Sequence, residues 1–127
     1  MKYEQATGKF YDSDGNLIGV GWSGHDAGKN NPLMENTPDI GPLPTGNYYI
    51  QDPEALGKLG AFAMPLFPFP TNEMYGRFSF LIHGASVLNP GESSHGCIIQ
   101  PRPTREIIAQ KIGGTPKYAP ARLLTVI

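Results

Sequence analysis

The chain has little of three features that often narrow down the class of a protein. Its 127 residues include a single cysteine, Cys97, which excludes an internal disulfide framework and a multi-cysteine zinc cluster. Only 17% of the residues are charged, against roughly 25% in soluble domains. No apolar stretch approaches the roughly 18 residues that a membrane-spanning helix needs, so we expect no membrane span.

The charge distribution excludes further partners. Ten basic and eleven acidic residues give a net charge of -1, and among the basic ones only Arg102 and Arg105 lie close together. Nucleic-acid binding depends on a basic face, so we expect no nucleic-acid partner. Residues 1–5 lack the apolar core of a secretory signal. We therefore expect synthesis in the cytoplasm without a signal peptide, followed by retention there or by export along another route.

Glycine and proline are abundant instead, with 16 and 13 residues. They follow no Gly-X-Y period, and 10% of the chain is aromatic, so neither collagen nor disorder explains them. Because we find no internal repeat and no linker, we predict one domain over residues 1–127 that is rich in turns.

Local patterns predict a mainly β fold, a small β-sandwich or barrel, with one clear helix near residues 103–111. Asp14 and Gly15 between two strand-like runs indicate a hairpin. Pro103 near the start and Gly113 at the end delimit the helix. The predicted strands are residues 8–12, 17–22, 47–51, 77–82 and 122–127.

The segments between these elements read as irregular structure. Residues 23–38 are polar and rich in turn formers, which indicates a long surface loop. Residues 54–59 could form a short helical turn. Pro65, Pro68 and Pro70 predict that this stretch forms neither a helix interior nor a central strand.

The candidate chemistry surrounds the lone cysteine. A thiol with an ordinary pKa needs an activating base, and His83 ends a strong strand-like run upstream of Cys97. Gly84 would let the chain turn after this histidine, and Gly96 permits an unusual backbone angle before the thiol. Successive amides in such a turn can converge to form an oxyanion hole. The pattern favours a Cys–His nucleophilic site.

Two other interpretations remain open on these residues alone. Cys97 could be an inert buried side chain in a non-catalytic cell-wall-binding or structural module. Alternatively, His83, His95 and Cys97 could ligate a metal, because imidazole and thiolate both suit zinc.

The order of the residues separates this chain from other thiol hydrolases. His83 precedes Cys97, whereas the cysteine comes first in papain-like enzymes. Caspase-like enzymes place their histidine about fifty residues upstream, in a different signature. Sortases share the order but carry a Thr-Leu-x-Thr-Cys run that is missing here.

The pair His83-Gly84, followed by Ser-His-Gly-Cys-Ile at residues 94–98, resembles the signature of the L,D-transpeptidase (YkuD-type) catalytic domain. Two departures, a short spacer and Ile99 in place of the usual Asn or Arg, fit the short type VI secretion L,D-transpeptidase-like toxins. Residues 11–24, 29–32 and 41–48 are also similar to that subgroup.

This resemblance implies a β-rich fold and roles for individual residues. Cys97 would be the nucleophile and His83 its base, without a metal or other cofactor. The Gly84 carbonyl would orient the imidazole, and Arg102 would bind a substrate carboxylate. The residues expected to orient the site or to stabilise the oxyanion are Gly84, Ser94, His95 and Gly96.

The implied activity is cysteine-dependent modification of peptidoglycan. The enzyme would cleave tetrapeptide stems after the third residue through a thioester, and then act as an L,D-carboxypeptidase or as a transpeptidase that exchanges D-amino acids. As an antibacterial toxin it would be secreted into the periplasm of a target cell. The partners expected beside the stem peptides are a cognate immunity protein and a component of the secretion system.

Overall fold

The computed structural model describes residues 1–55, 62–85 and 93–127. Within them the chain is mainly β, with nine strands and one α-helix, α1 (Arg102–Ile112), and the predicted fold class is confirmed. No helix among these residues is long and apolar enough to cross a membrane. The strands are β1 (Lys2–Tyr3), β2 (Lys9–Tyr11), β3 (Leu17–Val20), β4 (Trp22–Ser23), β5 (Gly46–Ile50), β6 (Met64–Pro68), β7 (Leu81–His83), β8 (Ile98–Ile99) and β9 (Leu123–Val126).

The nine strands form one sheet in the order β3-β2-β1-β9-β5-β6-β7-β8-β4. Most neighbours are antiparallel, but β1 pairs with β9 and β7 pairs with β8 in parallel. The two edge strands, β3 and β4, follow each other in the chain with only Gly21 between them. Because the ends of the sheet are brought together at this residue, the sheet nearly closes into a barrel.

The closure depends on two glycines that leave no room for a side chain. The Gly21 amide donates to the Gly8 carbonyl at 2.8 Å. A Cβ atom on Gly21 would lie 1.7 Å from the Ile99 carbonyl oxygen, and one on Gly8 would lie 1.8 Å from the Gly21 oxygen. The backbones of three strand ends therefore meet in direct contact, which any larger residue would separate.

The inward side chains of the sheet form a single hydrophobic core. Alternation along the strands directs one residue in two to this core, and Ile108 and Ile112 of α1 join it. The helix begins one residue before the predicted start and ends at Ile112, with Gly113 as its C-cap. The other buried members of the core are Tyr3, Phe10, Leu43, Tyr48, Ile50, Met64, Leu66, Phe80, Ile82, Ile98, Leu124 and Val126.

Several local predictions are confirmed with shifted ends. The hairpin forms between β2 and β3, with Asp12 carboxylate oxygens accepting from the amides of Asp14 and Asn16 in the turn. Strands also form at 46–50 and 123–126. Residues 23–38 are more ordered than the predicted loop, since they contain the end of β4 and two 3-10 helices, Asp26–Gly28 and Pro32–Met34.

The prediction that prolines exclude a central strand at residues 65–70 is wrong. Strand β6 contains Pro65 and Pro68 and lies between β5 and β7. It pairs with β7 through Met64 and Pro65, and with β5 only through its last three residues. Since each ladder is short, the missing proline amides interrupt little hydrogen bonding, and the Pro65 carbonyl still accepts from Gln51 at 2.8 Å.

The predicted strand over residues 77–82 is wrong at its start. Regular pairing is limited to β7, because Ser79 adopts a φ of 64°, which an extended strand does not accommodate. Arg77 is instead turned inward and is 8% exposed. The helical turn predicted at 54–59 lies mostly outside the described residues, and Glu54 forms an isolated bridge with Ala63.

The closure predicts a large difference between two glycine substitutions. Gly21→Ala should lower the free energy of unfolding by more than about 3 kcal/mol, because its Cβ meets backbone that cannot move independently. Gly15→Ala is the control: its Cβ has no neighbour within 4 Å, so only the left-handed φ costs about 1 kcal/mol. Urea unfolding measures both values, and equal losses would contradict the account of the closure.

Candidate active site

The parallel pairing of β7 with β8 places His83 and Cys97 on one face of the sheet. Ile82 pairs with Ile98, and both point into the core. Because side chains alternate along a strand, His83 after Ile82 and Cys97 before Ile98 point to the opposite, outer face. His83 is the last residue of β7 and Cys97 immediately precedes β8. The register His83↔Ile99 places them one diagonal step apart, a spacing that an aromatic side chain can reach across.

His83 is held in one tautomer. Its Nδ1 lies 2.8 Å from the Gly84 carbonyl oxygen, and a carbonyl only accepts, so Nδ1 carries the proton and Nε2 has the free lone pair. Burial lowers the pKa of His83 below the ordinary value of 6.5, the positive charge of Arg105 lowers it further, and the Gly84 hydrogen bond acts in the opposite direction. The imidazole is therefore neutral at pH 7 and can accept a proton at Nε2.

Opposing influences act on the Cys97 thiol. Burial raises its pKa above the ordinary value, whereas a hydrogen bond from the Leu81 backbone and the positive charge of Arg77 favour the thiolate. Burial is the largest of these effects, so the thiol is protonated at pH 7. Cys97 is a free thiol that is only partly covered, and its proton must be removed by a base before it can attack.

Ser94 organises the turn before the cysteine. Its fully buried hydroxyl donates to the Cys97 carbonyl and accepts from the amides of Gly24 and Gly96, at 2.8 and 3.2 Å. A second buried hydroxyl, that of Ser23, donates to the Gly96 carbonyl at 2.9 Å. The two serines tie the turn to β4 and leave its backbone little freedom.

Gly96 is required at its position for two reasons. Its φ of 126° is disfavoured for residues with a side chain. A Cβ atom would also lie 2.5 Å from Nη2 of Arg77 and 2.6 Å from Cε1 of Phe80. The close approach lets the turn pack directly on the guanidinium group.

The structure changes the expected set of oxyanion donors. The Gly96 amide donates to Ser94 and is directed away from a substrate. In the part of the chain that the structure describes, no acceptor is found for the amides of His95 and Cys97. These two amides flank the turn at Gly96, so they replace the Gly96 amide as the candidate oxyanion donors.

Arg77 is a site residue that the sequence analysis missed. Its guanidinium group donates to the carbonyls of Pro42 and Gly41 at 2.8 and 2.9 Å, to Glu35, and to His95 at 3.1 Å. All four acceptors are backbone oxygens, and no described carboxylate forms an ion pair with it. Its charge is therefore not neutralised by an ion pair and acts on Cys97. The long-range backbone contacts that identify it leave no local signal in the sequence.

The structure places Arg105, which the sequence analysis did not choose, beside His83. Arg105 is buried in α1 and donates to the carbonyls of Gln100 and Phe62, each at 3.1 Å.

Arg102, the predicted binder of a substrate carboxylate, lies on the first turn of α1 and is half exposed. A carboxylate oxygen of Glu106 lies 3.7 Å from its Nε, and the centre of the Phe62 ring lies 4.3 Å from its guanidinium carbon. A role for Arg102 in binding a substrate carboxylate stays a prediction.

The metal-site hypothesis is not supported by the positions of its residues. Among the described residues, which include His83, His95 and Cys97, no three His, Cys, Asp or Glu side chains are grouped closely enough to hold a metal ion. The exposed ring of His95 instead packs edge-on against His25, with centroids 5.0 Å apart.

Comparison with known proteins supports the family that these residues resemble. The family model of the Tlde1 domain matches residues 19–117, a range that contains both proposed catalytic residues and most of the barrel. Searches of curated proteins and of solved structures gave no match. The chain therefore belongs to the Tlde1 domain family, an L,D-transpeptidase-like family of type VI secretion effectors.

Proposed function

We propose that the protein is a cysteine-dependent enzyme that modifies peptidoglycan tetrapeptide stems through a thioester intermediate. The observation that carries this proposal is the placement of His83 at the end of β7 and of Cys97 immediately before its parallel neighbour β8, on one face of the sheet, with the histidine tautomer set by Gly84. A nucleophile, a base with a free lone pair, and a group that orients the base are the components of a covalent acyl-transfer site.

The reaction begins with both groups neutral. Nε2 of His83 takes the thiol proton, and the Cys97 sulfur attacks the carbonyl carbon of the third stem residue. The resulting tetrahedral oxyanion is stabilised by the amides of His95 and Cys97. It collapses with cleavage of the C–N bond, the terminal D-alanine leaves with the proton from the imidazolium, and the third residue remains bound to Cys97 as a thioester.

Arg77 contributes to this step from behind the turn. Its positive charge favours the thiolate, and its hydrogen bond to the His95 carbonyl holds the adjoining amides in place. Arg77 acts through these groups and is a positioning residue.

The thioester is resolved in one of two ways. Attack by water releases the shortened stem and makes the enzyme an L,D-carboxypeptidase. Attack by the amine of a D-amino acid or of a neighbouring stem gives an exchanged or cross-linked product. Trimming and exchange both deprive the wall of tetrapeptide donors, which fits an antibacterial effector. A cognate immunity protein and a secretion-system component are the partners that this function requires.

A non-catalytic wall-binding module is the second candidate, and the raised pKa of the partly buried Cys97 thiol favours it. In that case Cys97 would be inert, and the folded wild-type protein would release no D-alanine from tetrapeptide muropeptides.

Substitution of the two proposed catalytic residues should remove activity. Cys97→Ala should abolish release of D-alanine from purified tetrapeptide muropeptides, because no other thiol is available. His83→Asn should reduce the release at least about a hundredfold, the usual contribution of a general base. Ser13→Ala, an exposed hairpin position, should leave it unchanged, and continued release by folded Cys97→Ala would refute the cysteine mechanism.

The pKa shifts predict how the reactivity of Cys97 depends on pH. Since the pKa of Cys97 is raised and that of His83 is lowered, the alkylation rate should keep rising with pH beyond the ordinary thiol range. The control is the urea-unfolded chain, which should titrate as an ordinary thiol. A rate that is already constant between about pH 5 and 7 would mean a preformed thiolate–imidazolium pair and would contradict the neutral starting state.

A further inference from the structure

An aromatic surface lies on the same face of the sheet as Cys97. Phe67 on β6 and Tyr49 on β5 are paired residues that point outward, because their neighbours Leu66, Tyr48 and Ile50 point into the core. The Tyr49 ring packs against two further rings, with centroids 4.7 Å from Phe69 and 5.3 Å from Tyr118. We call these four residues the aromatic groove.

The aromatic groove extends towards Cys97 through a smaller cavity. A first cavity is lined by Leu81, Pro65 and Phe67 among others, and the Leu81 backbone contacts the Cys97 sulfur. A second cavity, of about 740 Å³, shares Phe67 with the first and extends over the other three rings of the groove. Phe67 thus stands between a cavity lined by Leu81, a direct neighbour of the nucleophile, and one that is large enough for a ligand of several rings.

None of the four rings belongs to the hydrophobic core, and Tyr49 and Phe69 are half-buried. Phe67 and Tyr118 are 41% and 62% exposed. Within the described residues the hydroxyls of Tyr49 and Tyr118 form no hydrogen bond. Contiguous exposed aromatic surface of this kind marks a binding site more often than a packing defect, and the unpaired hydroxyls suit a ligand with polar groups at its rim.

The distance from Cys97 indicates which part of the substrate reaches the groove. Phe67 lies two strands away from Cys97 and two residues along, which at ordinary sheet spacings is about 12 Å. Three stem residues precede the scissile bond, and an extended chain covers about 3.3–3.6 Å per residue. The stem therefore spans about 10–11 Å, and the lactyl group and muramic acid ring to which it is attached come next.

We propose that the aromatic groove binds the amino sugar that carries the stem peptide. This inference rests on the proposed function and specifies its substrate as a stem peptide that is still attached to the glycan. Hexosamine rings have one face of C–H groups that packs on the electron-rich face of an aromatic ring. Their hydroxyl and acetamido groups lie at the rim, where the hydroxyls of Tyr49 and Tyr118 can meet them.

The kinetic test compares two substrates that differ only in the sugar. Wild-type protein should have a KM about tenfold lower for the disaccharide tetrapeptide than for the free tetrapeptide, with similar kcat. Phe67→Ala and Tyr118→Ala should each raise KM for the sugar-linked substrate towards that of the free peptide. Tyr75→Ala is the control, since Tyr75 is 42% exposed and does not line the groove; its kinetics should match wild type.

A binding measurement separates this inference from the proposed function. The peptide-free disaccharide should shift the NMR signals of Tyr118 and Phe67 in Cys97→Ala protein, whether or not the chain has any enzymatic activity. Equal KM values for the two wild-type substrates, or absence of these shifts at millimolar disaccharide, would overturn the sugar site. Loss of D-alanine release from both substrates, with the shifts present, would instead refute the proposed function and leave the sugar site standing.

Discussion

The parallel pairing of β7 with β8 is the constraint on which the site depends. It joins two segments separated in the chain, and it sends Ile82 and Ile98 into the core. The same pairing directs the side chains of His83 and Cys97 to the outer face, so no separate structural element is needed to position them. A shift of register by one residue would turn one of them into the core. The closure of the barrel at Gly8 and Gly21 supports this register, since the Gly21 backbone contacts the carbonyl of Ile99, the last residue of β8.

The environment of the pair keeps it neutral before reaction. Burial opposes charge on both the thiol and the imidazole, while the two arginines beside them act in a complementary way. Arg77 favours the thiolate, and Arg105 disfavours an imidazolium. Both guanidinium groups are buried and hydrogen-bonded to backbone carbonyls, so their charges have fixed positions. The proton transfer from sulfur to nitrogen therefore takes place in a field that is set before substrate arrives.

Local chemistry made part of this architecture predictable. The hairpin follows from its Asp-Gly turn, the helix from Pro103 and Gly113, and the candidate pair from the order of His-Gly and Ser-His-Gly-Cys. The wrong predictions, for residues 65–70 and 77–82, share one cause: contacts with residues distant in the chain determine the local structure there. Pro65 fits a central strand because β6 divides its pairing between two neighbours. Arg77 leaves the strand pattern because four carbonyls, all of them distant in the chain, accept its hydrogen bonds.

The covalent intermediate is the most direct test of the central claim. Intact-protein mass spectrometry after rapid mixing with the disaccharide tetrapeptide should detect an adduct of the substrate without its terminal D-alanine, attached at Cys97. The adduct should be absent from Cys97→Ala and should disappear when a D-amino acid or hydroxylamine is added. D-alanine release that proceeds with no adduct in wild type, and that persists in folded Cys97→Ala, would contradict the account.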